Sequence, residues 1–582
     1  MTLIKTTLQL SQMVDEYYHA PEWVFDIETV GENRGDPRRN QLAWISFAST
    51  GRCDVLPLWH PGVSNLPDFD RSIEILRPLF FNKSRKIGHN VKFDLSSLVK
   101  YFGDIPSGPY GDTIIAGFLY DQKRKNKNAG LGAQVLRDFG YSYDKSVGKF
   151  IDQWPFKDAA SYSYRDSKYT WLLWQKGKPL LEKHGLWPVF DLEMDVLRVL
   201  VDMETHGAPV AEGEIDALDI ELAARLEEIK ARVFDAAGYE FNLNASAAKG
   251  KFVYEVRGHK PREFTAKTNK PSTAAASLEV YSKKDPIVAD LLAYADLNKL
   301  HGTYVKGIKP LLVNGRLHAD FIQYGAETGR FSCRKPNLQN IPRPDTEFGK
   351  RLRGMFHAPY KHSLIVADYS QVELRVLAHY SQDPTLLKAF ADGLDIHQAT
   401  AEELGCTRTV GKAVNFAIPF GAGPQKISLM SGCSEREARK FLDLHAKKFP
   451  RVAEFKRAAV LECRSTRPPH VTTILGRKRF LPEIMAQDYE VRGHAERQAI
   501  NTKIQGSAAD VIKLAMVRLY KTCLPEMQMI LTVHDELVTI CPDHLVDEGT
   551  EIVRVAMEEI DIMKRVRLTA NIVAVKTWDA AK

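Results

Sequence analysis

Two carboxylates lie at the ends of apolar runs, where they could hold divalent cations. Asp368 comes directly after the run 364–367, which predicts a buried strand. Asp535 lies between the runs 528–533 and 537–541, which predict the two strands of a hairpin. If these carboxylates meet in space, they could bind two magnesium ions, which clamp the attacking and leaving oxygens of a phosphoryl transfer. Alone, Asp368 could equally be a helix N-cap, but the second acid in a matching context favours the metal site.

A basic and aromatic helix face is predicted between these two acids. Its members recur at every fourth residue and therefore share one face of a helix. They are Arg408, Lys412, Phe416 and Phe420. Two cations could bind a triphosphate while the two rings stack on its base. A solvated basic turn running into the core is the alternative, but it does not explain why this face and both acid motifs occur in one chain.

A second group of acids lies in the first third of the sequence. Asp26 and Glu28 alternate along a short predicted strand and so share one of its faces. Asp94 stands where a helix begins, and Tyr162 and Asp166 are neighbours on a later helix because they are four residues apart. Singly, Asp94 could be a helix cap and Asp166 a surface charge. Together the four acids could hold two cations for phosphodiester hydrolysis, with Tyr162 orienting the attacking water.

The second group requires a sheet to position it. Strands are predicted over 23–29, 41–49 and 53–58, and a helix over 159–170. Trp187 and Pro188 interrupt the helical pattern, and we take this point as a domain boundary.

Long helices and a basic segment follow that boundary. An amphipathic helix is predicted over 214–237, closed by Gly238, and a further helix over 293–312. Between them, the segment 249–270 carries seven Lys or Arg against two Glu. A solvated loop and a surface for phosphate groups are both consistent with that charge.

The composition is that of a globular protein with more than one domain. Of 582 residues, 44% are hydrophobic and 26% charged. The net charge of +7 permits an acidic polymer as partner but does not require one. Seven scattered cysteines without CxxC spacing indicate neither a zinc site nor a disulfide framework, and they favour a reducing compartment. Neither a secretory leader nor an apolar run long enough to span a membrane is visible.

The stretches around Asp368, Lys412 and Asp535 resemble motifs A, B and C of family A DNA polymerases, the class of bacterial DNA polymerase I. The segments Thr-Gly-Arg-Phe-Ser (328–332) and Pro-Asn-Leu-Gln-Asn-Ile-Pro (336–342) are similar to the region that precedes motif A in that family. The acids and the tyrosine of the second group resemble the three motifs of the DEDDy 3′–5′ exonucleases, which include the proofreading domain of the same family. The resemblance covers nearly the whole chain, and its motifs are highly specific.

The resemblance implies an α/β multidomain fold. It predicts an RNase H-like 3′–5′ exonuclease domain over 1–187 and a right-hand polymerase domain over 188–582. The subdomain ranges it implies are a thumb over 188–325, a palm over 326–390 and 495–582, and fingers over 391–494. Nothing before residue 20 could form the 5′-nuclease domain of bacterial DNA polymerase I, so we expect that activity to be absent.

The resemblance also implies roles for individual residues of the polymerase. The metal ligands would be Asp368, the backbone carbonyl of Tyr369, and Asp535. Glu373 would abut the sugar and exclude a 2′-hydroxyl, and Lys412 would meet the leaving pyrophosphate as an electrostatic partner and proton donor. Further nucleotide contacts would be Gln371, His397, Arg408, Phe416 and Phe420. The DNA contacts would be Arg330, Asn337, Gln339, Arg497, Asn501, Gln505 and His534.

Every acidic position of the exonuclease pattern is filled, as is its tyrosine, so the resemblance implies an active exonuclease. Its metal ligands would be Asp26, Glu28, Asp94 and Asp166.

The end of the basic and aromatic helix departs from the family pattern. Phe420 stands where tyrosine is usual, Pro419 should kink the last turn, and Ala417 replaces a glycine. We expect these changes to affect template-base geometry and fidelity and to leave the chemistry intact. Phe416 keeps the aromatic ring without a hydroxyl, and the resemblance implies that this favours discrimination against dideoxynucleotides.

The sequence therefore predicts a DNA polymerase that adds deoxynucleotides to a primer 3′-hydroxyl by two-metal phosphoryl transfer, with 3′–5′ proofreading, in DNA replication. The expected cofactor is Mg²⁺, two per active site, with Mn²⁺ as a substitute. The expected partners are primer-template DNA, dNTPs and accessory proteins of replication. We expect a monomer without membrane association, in the cytoplasm of a bacterium or of a phage-infected host.

Two alternatives stay open. A single-subunit RNA polymerase has related palm motifs, but Glu373 and the exonuclease motifs argue against it. A non-catalytic DNA-binding replication scaffold is a different class, and the intact metal-site acids argue against that.

Overall fold

The structure is a computed structural model that describes most of the chain. The described residues are 1–142, 145–265, 268–417 and 421–581. Within them, five side chains are not described: Ser146, Lys149, Glu403, Thr409 and Phe416. The chain divides into two compact units. The first unit consists of Met1–Thr205, Phe321–Ser332 and Ile365–Ala574. The second unit consists of His206–Asp320, Cys333–Leu364 and Val575–Lys582.

The first 206 residues combine a sheet with flanking helices. The strands are β1 (Thr2–Leu3), β2 (Glu22–Val30), β3 (Gln41–Ser49), β4 (Arg52–Pro57), β5 (Arg85–Gly88) and β6 (Tyr110–Asp112). The helices are α1 (Thr7–Tyr18), α2 (Phe69–Phe80), α3 (Val91–Phe102), α4 (Thr113–Tyr120), α5 (Leu131–Phe139), α6 (Ser146–Lys149), α7 (Phe156–Lys183) and α8 (Trp187–His206).

These six strands form one mixed sheet in the order β1-β4-β3-β2-β5-β6. The strand β2 pairs antiparallel with β3 and parallel with β5, so it lies in the middle of the sheet. Its apolar side chains are fully buried, and the ring of Trp23 meets that of Phe80 edge-on at 5.3 Å. Each large side chain buried in this way contributes about 1.5–3 kcal/mol. The rigid core therefore fixes the strand that carries Asp26 and Glu28.

The segment 207–369 contains a long helix and short strands. The helices are α9 (Glu212–Ala237), α10 (Ser246–Gly250), α11 (Ala275–Ser282), α12 (Pro286–Leu300) and α13 (Glu347–Gly354). The strands are β7 (Ala208–Pro209), β8 (Leu312–Val313), β9 (Arg316–Leu317), β10 (Asp320–Ile322), β11 (Ser332–Arg334) and β12 (His362–Tyr369).

The remaining chain is mainly helical around a second sheet. The helices are α14 (Val372–Ser381), α15 (Pro384–Ala391), α16 (Ile396–Leu404), α17 (Arg408–Ala417), α18 (Pro424–Ser431), α19 (Glu435–Lys448), α20 (Pro450–Ser465), α21 (Tyr489–Asn501), α22 (Ser507–Thr522) and α23 (Val546–Glu558). The strands are β13 (His470–Thr472), β14 (Lys478–Phe480), β15 (Gln528–Val533), β16 (Glu536–Pro542) and β17 (Ala570–Val575). The second sheet has the order β15-β16-β12-β17, which places the predicted hairpin beside β12.

The predicted elements match the structure at most of their positions. Three predicted strands are confirmed as β2, β3 and β4 of the first sheet. The hairpin β15–β16 and the helix α9 with its left-handed cap Gly238 are also confirmed. The interruption of the helical pattern at Trp187 and Pro188 falls at the start of α8, and the domain boundary placed there stays a prediction. No helix in the described parts of the chain combines the length and the apolar character needed to cross a bilayer.

The prediction of a helix over 293–312 was wrong at both ends. The helix begins earlier, at Pro286, because Asp285 caps it by accepting a hydrogen bond from Ile287 N, and proline suits the first helical position. It ends at Leu300, where a π-helical turn follows, and the glycines 302 and 307 disfavour a continued helix.

Candidate functional site

The four acids of the N-terminal group come together beside β2 of the first sheet. Asp26 and Glu28 lie on β2, and Asp166 lies on α7. Oxygens of these three carboxylates lie within 4.8 Å of one another. Asp94, from α3, accepts a hydrogen bond from Ile27 N at 3.2 Å and is thereby held against β2. Tyr162 is buried one helical turn before Asp166 and lines the same cavity.

Burial and mutual repulsion raise the pKa of three carboxyl groups in this cluster, those of Asp26, Glu28 and Asp94. Burial and the charge of Asp166 raise the pKa of Asp26 to about 8, although Lys145 opposes both effects. Burial and the charge of Asp26 also raise the pKa of Glu28 and of Asp94 well above their usual range. Such a concentration of buried negative charge is stabilised by protons or by bound cations.

The donor set fits hard divalent cations. It offers several carboxylate oxygens, the ligands that magnesium prefers. Asp26 Oδ2 is buried and makes no hydrogen bond within the described part of the chain, so it is available as a ligand. The residues that sequence reasoning had singled out therefore assemble into one candidate metal centre.

Sequence reasoning missed Lys145 and Gly148 in this site. Lys145 forms an ion pair with Asp166, and Gly148 packs closely against the hydroxyl of Tyr162. Both residues come from the short segment before α7, whose sequence has no pattern that could have identified them.

The second candidate site lies where β12 meets the hairpin β15–β16. Asp368 is the penultimate residue of β12, and Asp535 lies in the hairpin turn. The backbone N–H of Tyr369 donates to the carbonyl of Asp535 at 3.2 Å, which joins the end of β12 to the turn. His534, in the same turn, adopts a left-handed conformation with φ of 55°. The two acids are thus carried by neighbouring parts of one sheet.

The alternative role of Asp368 as a helix N-cap does not hold. The N-cap of α14 is Gln371, which has φ of 54° and makes no side-chain capping bond. Asp368 is half-buried within β12 and precedes that cap by three residues.

Glu373, on the first turn of α14, forms an ion pair with Arg330. Burial raises the pKa of Glu373, and the charge of Arg330 partly offsets that effect. The structure therefore brings together two residues that the sequence had assigned separately to the nucleotide and to the DNA.

The turn between β12 and α14 is held by a side chain that sequence reasoning missed. Arg375 donates from Nε to Ser370 O at 2.8 Å and from Nη2 to Thr569 Oγ1 at 2.6 Å. No motif marked this arginine, because its partner Thr569 lies far away along the sequence.

The predicted basic face lies on α17. Arg408 donates from Nε to Asp395 Oδ2 at 2.8 Å, and Lys412 is exposed. His397 is buried and lies 3.2 Å from the amide nitrogen of Asn415. Phe420 and Pro419, and the side chain of Phe416, lie outside what the structure describes.

The remaining predicted DNA contacts fall into two places. Asn501 donates from Nδ2 to Gln505 Oε1 at 3.1 Å. Asn501 is the last residue of α21, which also carries Arg497, and Gln505 lies in the π-helical turn that follows. Asn337 and Gln339 belong to the second unit, in a short turn where Asn337 Oδ1 accepts from Gln339 N at 3.2 Å.

Sequence reasoning also missed a buried ion network. Glu193 Oε1 accepts from Arg477 Nη2 and from Lys513 Nζ, both at 2.6 Å. Arg477 also donates to Asp510 Oδ1 at 3.0 Å and lies against Gly329. The network therefore connects three elements, which are α8, α22 and the turn that precedes β14. Through Gly329 it also contacts the segment that carries Arg330. The sequence gives no sign of it, since its members lie far apart along the chain.

Comparison with known proteins identifies the family and the fold of this chain. The sequence model described as DNA polymerase family A matches residues 212–580, and the model described as 3'-5' exonuclease matches residues 1–182. The predicted α/β multidomain fold, an exonuclease domain followed by a polymerase domain, is confirmed by these matches and by a solved structure. That structure is the POL domain of Pol1 from M. smegmatis in complex with DNA primer-template and dNTP, with a TM-score of 0.86, 25% identity and 98% of each chain covered.

Three curated relatives carry the name DNA polymerase I. That of Chloroflexus aurantiacus is 31% identical over 100% of this chain and 63% of the relative. That of Streptococcus pneumoniae strain R6 is 36% identical over 96% of this chain and 64% of the relative. The thermostable enzyme of Thermus filiformis is 37% identical over 77% of this chain and 53% of the relative. The chain thus spans less than two thirds of the length of each of these relatives.

Proposed function

Because this chain belongs to DNA polymerase family A, we propose that it is a template-directed DNA polymerase with a proofreading 3′–5′ exonuclease. The observation that carries the proposal is the assembly of two separate acid sites in one compact unit. One contains Asp26, Glu28 and Asp166 within 4.8 Å, and the other contains Asp368 and Asp535 on adjoining strand ends.

We assign the exonuclease domain to residues 1–187 and the polymerase domain to 188–582. The family matches at 1–182 and 212–580 support this division. The thumb, palm and fingers keep the ranges expected from the sequence.

In the polymerase, Asp368, Asp535 and the carbonyl of Tyr369 would hold Mg²⁺, or Mn²⁺ in its place. When bound, the cations supply charge neutralisation for the primer 3′-hydroxyl and the phosphates. Glu373 excludes a 2′-hydroxyl beside the sugar, and Arg330 orients that carboxylate through their ion pair. Lys412 and Arg408, on α17, meet the triphosphate and favour the departing pyrophosphate electrostatically.

In the exonuclease, Asp26, Glu28, Asp94 and Asp166 would hold the cations. Tyr162 orients the attacking water towards the terminal phosphodiester. The protein's own contribution is a fixed and buried arrangement of oxygens, since β2, α3 and α7 each present their acids from regular structure.

We propose primer-template DNA and dNTPs as the substrates, accessory proteins of replication as partners, and a monomer as the working form. The seven cysteines are free thiols, which agrees with a reducing compartment such as the cytoplasm.

Primer extension on a recessed template with Mg²⁺ and four dNTPs tests the proposal. We expect the intact chain to extend the primer, Asp535→Ala to lose extension and keep 3′ shortening, and Asp26→Ala to show the reverse. DNA binding without either activity in the intact chain would favour the scaffold alternative, and efficient use of ribonucleotides would favour the RNA polymerase alternative.

A further inference from the structure

Lys145 reaches into the carboxylate cluster from outside the motifs that build it. The residue precedes α6, and its aliphatic stem lies against Gly132, where an added Cβ would come within 3.2 Å of Lys145 Cγ. Its ammonium forms an ion pair with Asp166 and lies 4.8 Å from the ring centroid of Tyr162. One lysine therefore contacts both functional residues of α7.

The charges around the cavity make this position unusual. Among the described residues that line it, four are acids and two are the cations Arg34 and Lys145. Arg34 directs Nη1 to Asp152 Oδ1 at 2.9 Å and lies over the ring of Phe150. Lys145 thus pairs with an acid of the cluster, whereas Arg34 pairs with Asp152.

We propose that the ammonium of Lys145 and a divalent cation compete for Asp166, so that Lys145 sets the affinity of the exonuclease site for its cation. This inference rests on the proposed hydrolytic function of the cluster. The reason is electrostatic: a cation held by Asp26, Glu28 and Asp166 would lie close to Lys145 Nζ, and like charges at short range repel.

The competition has a consequence for Tyr162. While Lys145 is paired with Asp166, its ammonium also lies over the tyrosine ring, an arrangement that favours one position of that ring. Displacement of the ammonium releases the ring, so cation binding and the orientation of Tyr162 are coupled. Lys145 acts through Asp166 and Tyr162 and is therefore a positioning residue.

The test is calorimetric titration of Mn²⁺ into the full chain carrying Asp368→Asn and Asp535→Asn, which removes binding at the other acid pair. In this background we compare Lys145→Met, Lys145→Arg and Lys168→Met. Lys168 is an exposed lysine on α7 whose ammonium lies 5.5 Å from the ring centroid of Tyr164, so it is a matched control for the lost charge.

We expect Lys145→Met to lower the Kd for Mn²⁺ by about tenfold or more, since a competing positive charge is removed. Lys145→Arg should stay near the parent value because the charge is kept, and Lys168→Met should have no effect. We also expect the rise in Tm on exchanging EDTA for Mn²⁺ to be larger in Lys145→Met than in the parent, which checks that the variant is folded.

An unchanged or higher Kd in Lys145→Met would overturn the competition. The parent in this test is the chain that carries Asp368→Asn and Asp535→Asn. If neither this parent nor its Asp26→Asn variant binds Mn²⁺, both the hydrolytic site and this inference are overturned.

Discussion

The backbone N–H of Tyr369 donates a hydrogen bond to the carbonyl of Asp535 at 3.2 Å. This bond joins the strand that carries Asp368 to the turn that carries Asp535, the two acids proposed to bind the cations of the polymerase. Tyr369 is also proposed to supply its carbonyl to the cation. All of these contributions come from the main chain, so the tyrosine side chain should matter for stability more than for catalysis.

The substitution Tyr369→Phe tests whether the tyrosine side chain contributes to stability and not to catalysis. The buried hydroxyl donates to Met557 O at 2.6 Å, and its loss leaves a carbonyl without this donor. We expect the free energy of unfolding to fall by about 1–2 kcal/mol, while the rate of primer extension stays within about twofold of the parent because the backbone groups remain. Denaturant unfolding and single-turnover extension measure the two quantities, with Asp535→Ala as the catalytically dead reference. A loss of extension comparable to that reference would show that the side chain takes part in the chemistry.

The N-terminal acid cluster should make stability depend on pH. Asp26 has its pKa raised from an ordinary 3.8 to about 8, mainly by burial and then by Asp166. The folded protein thus keeps a proton that the unfolded chain releases, and this contribution to stability is lost as pH rises from the ordinary value through about 8. In EDTA, the Tm should fall over that range, and Asp26→Asn should flatten the profile.

Divalent cations should reverse this dependence, because they bind the deprotonated carboxylates. In excess Mg²⁺ the Tm should hold or rise up to about pH 8, since ionisation now favours the bound state. In a chain that carries Asp368→Asn and Asp535→Asn, the difference between the Mg²⁺ and EDTA profiles isolates the N-terminal cluster from the second acid pair. A difference that does not change with pH would contradict cation binding by these acids.

The segment that carries Arg330 should tolerate no side chain at Gly329. This glycine has φ of +81°, and an added Cβ would lie 2.6 Å from Arg477 Nε. Gly476 has φ of +92° with no atom within 4 Å of the added Cβ, so it provides a control for backbone strain alone. We expect Gly476→Ala to cost about 1 kcal/mol and Gly329→Ala to cost more and to raise KM for dNTPs. Equal losses in both variants would show that the contact with Arg477 is unimportant.

The buried ion network should depend on Glu193 more than on Lys513. Burial alone would raise the pKa of Glu193, but Lys513 and Arg477 hold it below its usual range. Glu193→Gln leaves both buried cations without that charge and should cost about 3–5 kcal/mol. Lys513→Met should cost far less, because Glu193 keeps Arg477 and the apolar chain avoids burying an ammonium. Unfolding by denaturant gives both values, and a larger loss for Lys513→Met would contradict this order.

Whether the sequence could predict a feature depends on how far apart along the chain the interacting residues lie. The hairpin around Asp535 and the strand that carries Asp26 and Glu28 were predicted because local apolar patterns determine them. Lys145, Arg375 and Glu193 could not be predicted, because their partners are brought near only by the folded sheet and helices. The early start of α12 was visible in principle, since Asp285 and Pro286 form a cap signal that the hydrophobic pattern obscured.

Substitutions of Glu373, which pairs with Arg330, should show whether the sugar is selected by steric exclusion or by charge. Glu373 is 13% exposed and is held by Arg330, so its carboxylate occupies a fixed volume. Glu373→Gln keeps that volume and removes the charge, whereas Glu373→Ala removes both. If exclusion of the 2′-hydroxyl is steric, ribonucleotide incorporation should rise by about 10²-fold in Glu373→Ala and only slightly in Glu373→Gln. Single-turnover incorporation of dNTP and rNTP measures the ratio.

Arg330→Ala completes the comparison. It leaves Glu373 buried beside no described cation, and burial then raises the pKa of this carboxyl further, because Arg330 is the group that opposes the increase. Glu373 keeps its volume, so discrimination against ribonucleotides should persist, while kcat/KM for dNTPs falls because the predicted DNA contact of Arg330 is lost. Loss of sugar discrimination in Arg330→Ala would mean that the ion pair, and not the bulk of Glu373, selects the substrate.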